Sequence, residues 1–534
     1  MNNFDYIIVG SGAAGSVLAE RLSRDPHKTV LVLEAGGSDR NPIHLVPKGF
    51  YFTMNNRKFS KFFQTEPYGD GNVDTWHRGS IIGGSTTVNG LVWNRGWAPA
   101  YDAWEEAGNK GWNWQRFLDA FRALEKHELG GSTVRGGYGP VDITVAKPRE
   151  EVSDALVMSL GRLGVSYTED MNSTGDDRVG YVTSNVKRGT RVSAARAFLR
   201  GARRRKNVTV LDRTEVARIT FTGTRASGVE ANSRGRKVSF TANKEVLVCA
   251  GSLESPLLLE RSGIGAPEVL RAAGVPVLVE SPKVGENLRE HRGILLQFRL
   301  KGTAGFNQQI NSAVKQLWTG FKYLFTRDGV ISYGGYNLVA MYKSDPASPG
   351  PDTQSFFTPI STSGVNPTTG RMVVDKFSGG MFLTFPMFPT SAGSIHITGP
   401  AVTDTPRIIP NFLATEHDRQ LMAKAVAKAR EIAATKPFAD YLEAEVAPGP
   451  TLTDDADIAD YAINNGGTGY HTLGTCAIGP DDDDVVDGRL RVRGTTGLRV
   501  VDASVFPAMP SGNNNAPTQA MAWIAAELIA EDNR

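Results

Sequence analysis

The sequence predicts an α/β protein of two parts, one built on a parallel sheet and the other, of α+β class, on an antiparallel sheet. Three observations predict it. A β-branched run, Tyr6-Ile7-Ile8-Val9, ends in glycines spaced G-x-G-x-x-G at Gly10, Gly12 and Gly15, and a helical pattern opens at once. A second strand, Gly-Ser turn and helix recur at 245–265. Between about 300 and 450 strand-like runs sit beside helical ones, which suits an antiparallel sheet with helices on one side.

The first forty residues organise the chain. Gly10 permits a tight turn, Gly12 lets the backbone approach a pyrophosphate, and Gly15 lets helix and strand pack closely. The helix N-terminus, opening through Ala13 and Ala14, offers free N–H groups and a favourable dipole to an anion. A second strand over 29–33 ends on Glu34 and Ala35, with Glu34 nineteen residues beyond Gly15, placed to accept hydrogen bonds from a ribose. This is a Rossmann-like dinucleotide-binding unit. FAD and NAD offer it the same adenosine and pyrophosphate.

Residues 41–75 read as an aromatic, loop-rich stretch. A glycine-rich block follows, with Arg78, Gly83 and Gly84 leading to Asn89-Gly90-Leu91-Val92, where small residues let backbone approach a flat ligand. Residues 101–127 read as an amphipathic helix whose tryptophans face the core, 151–164 as a second helix ended by Gly164, and 193–199 as a short one. Strands follow over 208–211 and 216–221. The strand over 245–250 leads through Gly251-Ser252 into a helix with Pro256 early and Gly263 and Gly265 at its end. It extends the N-terminal sheet, so the nucleotide domain is discontinuous: 1–150, 190–300 and 455–534, with 151–189 and 301–454 as the substrate domain. From about 300 to 450, strands are expected over 294–300, 336–342, 354–359, 381–387 and 393–398, and helices over 312–325 and 416–435. Proline-containing loops over 344–351 and 361–370 read as rim or lid. Near the C-terminus, Tyr470-His471 sits in a glycine-rich loop, Asp502-Ala503 follows a strand, and Asn513-Asn514 leads through Pro517-Thr518 into an apolar helix.

Bulk properties exclude several classes. The 534 residues are 40% hydrophobic and 22% charged with a net charge of +3, an ordinary globular composition that gives no footing for nucleic acid. The basic run Arg203-Arg204-Arg205-Lys206 reads as a solvated turn. Two cysteines, Cys249 and Cys476, build no disulfide framework and no metal site, and Cys249 reads as a buried strand residue. The four aspartates 481–484 lack Ca²⁺-loop spacing. No signal peptide precedes the first strand and no run is long enough to span a membrane, so a cytoplasmic protein is expected.

The motifs together resemble the glucose-methanol-choline (GMC) flavoprotein oxidoreductases over essentially the whole chain. Four blocks carry the resemblance in the family's order: the N-terminal glycines with Glu34, the block 78–89, the block 251–265, and the pair His471 and Asn513. The resemblance implies FAD. It gives Glu34 the adenosine ribose, Val216 the adenine, Asn89 to Val92 the isoalloxazine, and Asp502, Ala503, Asn514, Pro517 and Thr518 the pyrophosphate–ribityl and N1/O2 side. It makes His471 the active-site histidine and Asn513 its partner. The block spacing resembles that of bacterial alcohol and choline dehydrogenases and of aryl-alcohol or hydroxymethylfurfural oxidases. Some relatives carry a flavin-bonding histidine before the residue matching Asn89; Val88 stands there, so FAD is expected to be non-covalent. The sequence Asn-Leu-Arg-Glu-His at 287–291 departs from a family Asp before the His and is expected to be structural.

The residue types suit the chemistry independently. Oxidising an alcohol with a flavin needs a hydride acceptor and a base for the hydroxyl proton. Histidine has the pKa for that base, and a neutral asparagine can fix the substrate oxygen. The expected activity is oxidation of a primary, apolar or aromatic alcohol, the flavin being reoxidised by O₂ or by a quinone or other acceptor. A choline-type dehydrogenase is the alternative within the family, and a GMC-like hydroxynitrile lyase the alternative from another class.

Overall fold

The computed structural model describes residues 2–147, 149–365 and 372–534. Residues 366–370 of the second expected rim loop lie outside them.

The N-terminal strand Asn3–Val9 is the centre of the first sheet. It pairs in parallel with Val30–Leu33 on one side, Tyr6 opposite Val30, and with the end of Arg236–Val248 on the other, Ile8 opposite Leu247. Val208–Leu211 and Leu498–Val500 extend the parallel sheet outward. The inner strands read as near-continuous apolar runs because both of their faces are covered; Val30–Leu33 is buried at every position. The glycine-turn helix Ala13–Leu22 packs between this sheet and the C-terminal helix Asn515–Asp532, which also meets Trp114–Leu124. The expected strand at 245–250 is longer than its apolar run: Arg236–Val248 spans 13 residues. Its first half alternates in burial and pairs antiparallel with Arg225–Ser233, which pairs with Thr214–Thr222.

The second sheet runs in the order Leu442–Ala447, Arg292–Leu300, Gly379–Pro386, Thr353–Thr358, Leu338–Tyr342, Arg178–Tyr181 and Ser166–Tyr167, antiparallel except at its last pair. Glu416–Ala434 packs on it, and Asp455–Asn465 packs on Arg292–Leu300. Although the expected boundary falls at residue 300, the strand Arg292–Leu300 belongs to this antiparallel sheet, and Gly467–Thr468 pairs with its start. The two sheets therefore meet where residues 290–293 and 467–471 run side by side.

Three local expectations change. The single helix over 101–127 is two, Ala98–Glu106 and Trp114–Leu124, because Gly108 and Gly111 take positive φ and Asn113 caps the second through its side chain. The strand over 393–398 shortens to Ser394–His396 and pairs with Arg407–Ile409, outside the large sheet. The short helix at 193–199 is a wide π turn, Ala195–Leu199, running into Arg200–Ala202. Both cysteines are buried and free. Among the described residues no helix is long and apolar enough to cross a membrane.

Candidate active site

A cavity of about 1430 Å³ runs from the glycine turn to His471, between the two sheets. Its first wall is the dinucleotide unit. Gly10 has φ +101°, and a Cβ there would lie 2.4 Å from the Cys249 carbonyl oxygen, so only glycine makes this turn. A Cβ on Gly15 would come within 2.0 Å of the Gly10 oxygen, the close helix–strand packing expected. At Gly12 a Cβ would meet no protein atom within 4 Å: the position is kept bare on the cavity side. Glu34 is buried with one oxygen accepting from the Ser11 N–H and hydroxyl, at 3.0 and 2.6 Å, and the other from the Gly36 N–H at 2.9 Å. Burial raises its pKa, and those donors oppose the rise. The carboxylate is locked in place beside the cavity it lines, with one acceptor site left on Oε1.

These features fit an elongated dinucleotide. The bare glycine turn, the fixed acid and the cavity-lining Asn515, whose Nδ2 is buried without a protein acceptor, all suit a polar ligand. Of the residues expected from the sequence, all but Gly15, Gly83 and Pro517 line the cavity. Gly15 serves packing, as expected. Gly83 holds φ +92° and donates its N–H to the Ser11 hydroxyl at 3.1 Å, and Pro517 is buried in the terminal helix. These last two shape the wall from behind.

At the far end, loop backbone brings His471 and Asn513 together. Asn513 Nδ2 lies 2.8 Å from His471 Nε2. On its other side His471 Nδ1 lies 2.9 Å from Nδ1 of His291, whose Nε2 is 2.9 Å from the Met387 carbonyl oxygen. A carbonyl only accepts, so His291 carries its proton on Nε2 and its Nδ1 is an acceptor. His471 then donates from Nδ1, and its Nε2 is left as a lone pair facing the Asn513 amide. Glu290 completes the frame: its oxygens accept from the His471 backbone N–H at 2.8 and 2.9 Å and from the His291 N–H at 2.8 Å. The loop 287–291, expected to be structural, thus orients the histidine. No local spacing signals this, because 180 residues separate the two imidazoles.

The electrostatics keep both rings neutral. Burial pushes His471 well below its ordinary range, with His291 and Arg78 adding to the shift. Burial pushes His291 to about 4. Glu290 is raised, burial outweighing Arg78 at 3.8 Å. Two basic residues that sequence reasoning passed over also bear on the wall. Arg191, fully buried, donates to Asn89 Oδ1 at 2.8 Å and so holds the turn before Gly90. Lys48 lines the cavity, reaches the Gly335 carbonyl at 3.3 Å, and is pushed down to about 7 by burial. Val88, buried against Phe59 and Ile81, offers no nucleophile.

Comparison with known proteins gives the family. The GMC oxidoreductase family matches at 4–292 with its N-terminal part and at 389–522 with its C-terminal part. The chain is 36% identical over 533 residues to an oxygen-dependent choline dehydrogenase of Vibrio vulnificus, covering 99% of this chain and 94% of that one. It is 33% identical over 531 residues to an alcohol dehydrogenase (acceptor) of Pseudomonas putida, covering 98% and 95%. Among solved structures, pyridoxine 4-oxidase from Mesorbium loti superposes with a TM-score of 0.87 at 31% identity, covering 98% and 99%. With the dinucleotide cradle and the histidine–asparagine pair at opposite ends of one cavity, the chain belongs to the GMC oxidoreductases and is an FAD-dependent alcohol oxidoreductase.

Proposed function

We propose that the chain oxidises a primary alcohol to the aldehyde with His471 as the base and Asn513 as the group that holds the substrate oxygen. The observation that carries this is the hydrogen-bond series Met387 carbonyl, His291, His471, Asn513, which leaves the unprotonated Nε2 of His471 at the cavity wall. FAD, when bound, supplies the acceptor for the hydride that leaves the carbinol carbon. His471 takes the hydroxyl proton on Nε2, Asn513 donates to the oxygen without changing charge, and the buried surroundings keep water from competing for either. Non-covalent FAD follows from Val88: acid precipitation should release all of the flavin into the supernatant.

Two readings of the alcohol have support. A choline-type substrate draws on similarity, since the Vibrio vulnificus relative is a choline dehydrogenase, and this weighs more than the sequence expectation of an aromatic alcohol. The second reading, an apolar or aromatic alcohol, is favoured by the wall. Phe50, Tyr336, Phe356 and Phe385 line the cavity, but the lining acids Glu34, Glu215, Glu254 and Asp502 belong to the dinucleotide side, while Lys48 and Arg78 contribute basic groups. A quaternary ammonium wants an aromatic cage and an unneutralised carboxylate, and a neighbouring cation opposes it. Anaerobic mixing of the purified protein with choline, benzyl alcohol and an aliphatic alcohol, read at the flavin absorbance, decides between them: the alcohol that bleaches fastest names the class. Recovery in air with peroxide means O₂ is the acceptor; bleaching without recovery means a quinone or other acceptor. A yellow protein that no alcohol bleaches would overturn alcohol oxidation.

A further inference from the structure

The helix Ala313–Thr326 lies on the surface with most of its apolar side chains in solvent. Val314, Leu317, Trp318, Phe321, Leu324 and Phe325 are each more than half exposed. Their spacing is helical, and at 3.6 residues per turn the six fall within an arc of about 120°. The buried residue of the helix is Tyr323, on the opposite side, whose hydroxyl donates to the Gly189 carbonyl at 2.6 Å and tethers the helix to the body. The apolar face therefore points outward because of how the helix is anchored. Trp318 stacks on Phe321 at 5.9 Å, and Phe321 meets Phe325 at 4.8 Å, which makes the face a continuous aromatic strip. One edge of it, Leu317, Phe321 and Leu324, also lines the cavity that ends at His471, so the strip and the cavity wall are one surface.

We propose that this helix lays its apolar face into the surface of an anionic lipid bilayer, with the adjoining cavity mouth turned toward the lipid. Charge and size select this occupant. The helix carries Lys315 and Lys322 and no acidic residue. On the helical wheel both lysines flank the apolar arc on the Trp318 side, the arrangement of a helix lying at the headgroup boundary with aromatic residues below and basic ones level with the phosphates. A second copy of the chain fits less well. A 14-residue helix offers a face about 21 Å long and 10 Å wide, roughly 200 Å², against about 800 Å² per partner in a stable interface, and the basic flank would face its own charge across a two-fold axis. The chain's small net charge does not bear on this, since the attraction is local to the patch.

The test is co-sedimentation of the flavin-loaded, full-length protein with vesicles of phosphatidylcholine alone and of phosphatidylcholine mixed with phosphatidylglycerol, at low salt. The wild-type protein should pellet with the anionic vesicles and much less with the neutral ones. The double variant Trp318→Ser/Phe325→Ser should partition about tenfold less or weaker, and Lys315→Glu/Lys322→Glu should lose the preference for anionic vesicles. Neither Trp318 nor Phe325 lines the cavity, so turnover of a water-soluble alcohol should persist in the first variant, which also reports that it is folded. Failure of the wild-type protein to pellet with either vesicle would overturn the proposal, as would equal pelleting of the apolar variant. So would a wild-type dimer in solution that the Trp318→Ser/Phe325→Ser change dissolves, because the face would then belong to a second copy.

Discussion

Two histidines 180 residues apart share one hydrogen bond, and the proton in it decides which nitrogen of His471 can act. Because the Met387 carbonyl fixes the His291 tautomer, His291→Ala would leave the Nδ1 proton of His471 buried without an acceptor and its tautomer free. We expect kcat to fall about a hundredfold with KM nearly unchanged. Steady-state kinetics with the two constants separated is the check; loss of thermal stability alone, with kcat intact, would make His291 merely structural. The pH dependence follows from the same burial. As the proposed base, His471 can act only when neutral, and its pKa is held below the ordinary 6.5, so the acid limb of kcat/KM should lie below 6.5. The stability linkage has the matching sign: below 6.5 the unfolded chain takes up the proton and the folded chain does not, so this group lowers stability as pH falls through that window and is neutral in effect above it.

The glycine turn shows how one short element separates packing from binding. A Cβ at Gly15 collides with the Gly10 carbonyl, whereas a Cβ at Gly12 meets only open cavity, and Gly12 has an ordinary φ of −69°. Gly15→Ala should therefore destabilise the protein itself by about 1–3 kcal/mol or more. Gly12→Ala should leave the flavin-free protein nearly as stable as wild type and weaken FAD retention severely. Thermal melts of the flavin-free proteins beside flavin titrations distinguish the two, and equal melting losses in both would refute the distinction. The loops behave differently from this turn, because their order comes from buried side chains such as Arg191 and Glu290, which satisfy backbone groups of residues distant in sequence.

Across the whole molecule, His396 joins three segments. Its Nδ1 lies 2.7 Å from Glu260 on the helix Glu254–Arg261, and its Nε2 lies 2.9 Å from Glu286, close to the loop that frames His471. Burial opposes its charge, but the two carboxylates outweigh it and raise its pKa to about 9. The raised value means the clamp contributes its full stability below 6.5 and loses it as pH rises through about 9. His396→Gln should cost about 3 kcal/mol at pH 6 and much less at pH 10. Thermal melts of both proteins across that range are the check, and a difference independent of pH would remove the clamp from the account.

The sequence by itself determined the dinucleotide unit and the discontinuous return of the chain to its first sheet, and it pointed, through loop context and the family resemblance, to His471 and Asn513. Each is written in local spacing: glycines whose absent Cβ atoms matter to the turn, apolar runs of strand length, and a histidine and asparagine in glycine-rich and asparagine-rich loops. The same local rules misjudged elements whose limits are tertiary. The 236–248 strand continues past its apolar run because half of it pairs at a solvated hairpin, and two glycines divide what looked like one helix. Only the tertiary structure brought His291 and Glu290 to His471, made Lys48 a buried wall residue, and turned the apolar face of Ala313–Thr326 outward. Its periodicity reads like that of any helix packed on a core. Which way such a face points depends on the side the fold anchors, here through Tyr323, Thr319 and Gln316, and no pattern within fourteen residues encodes that choice.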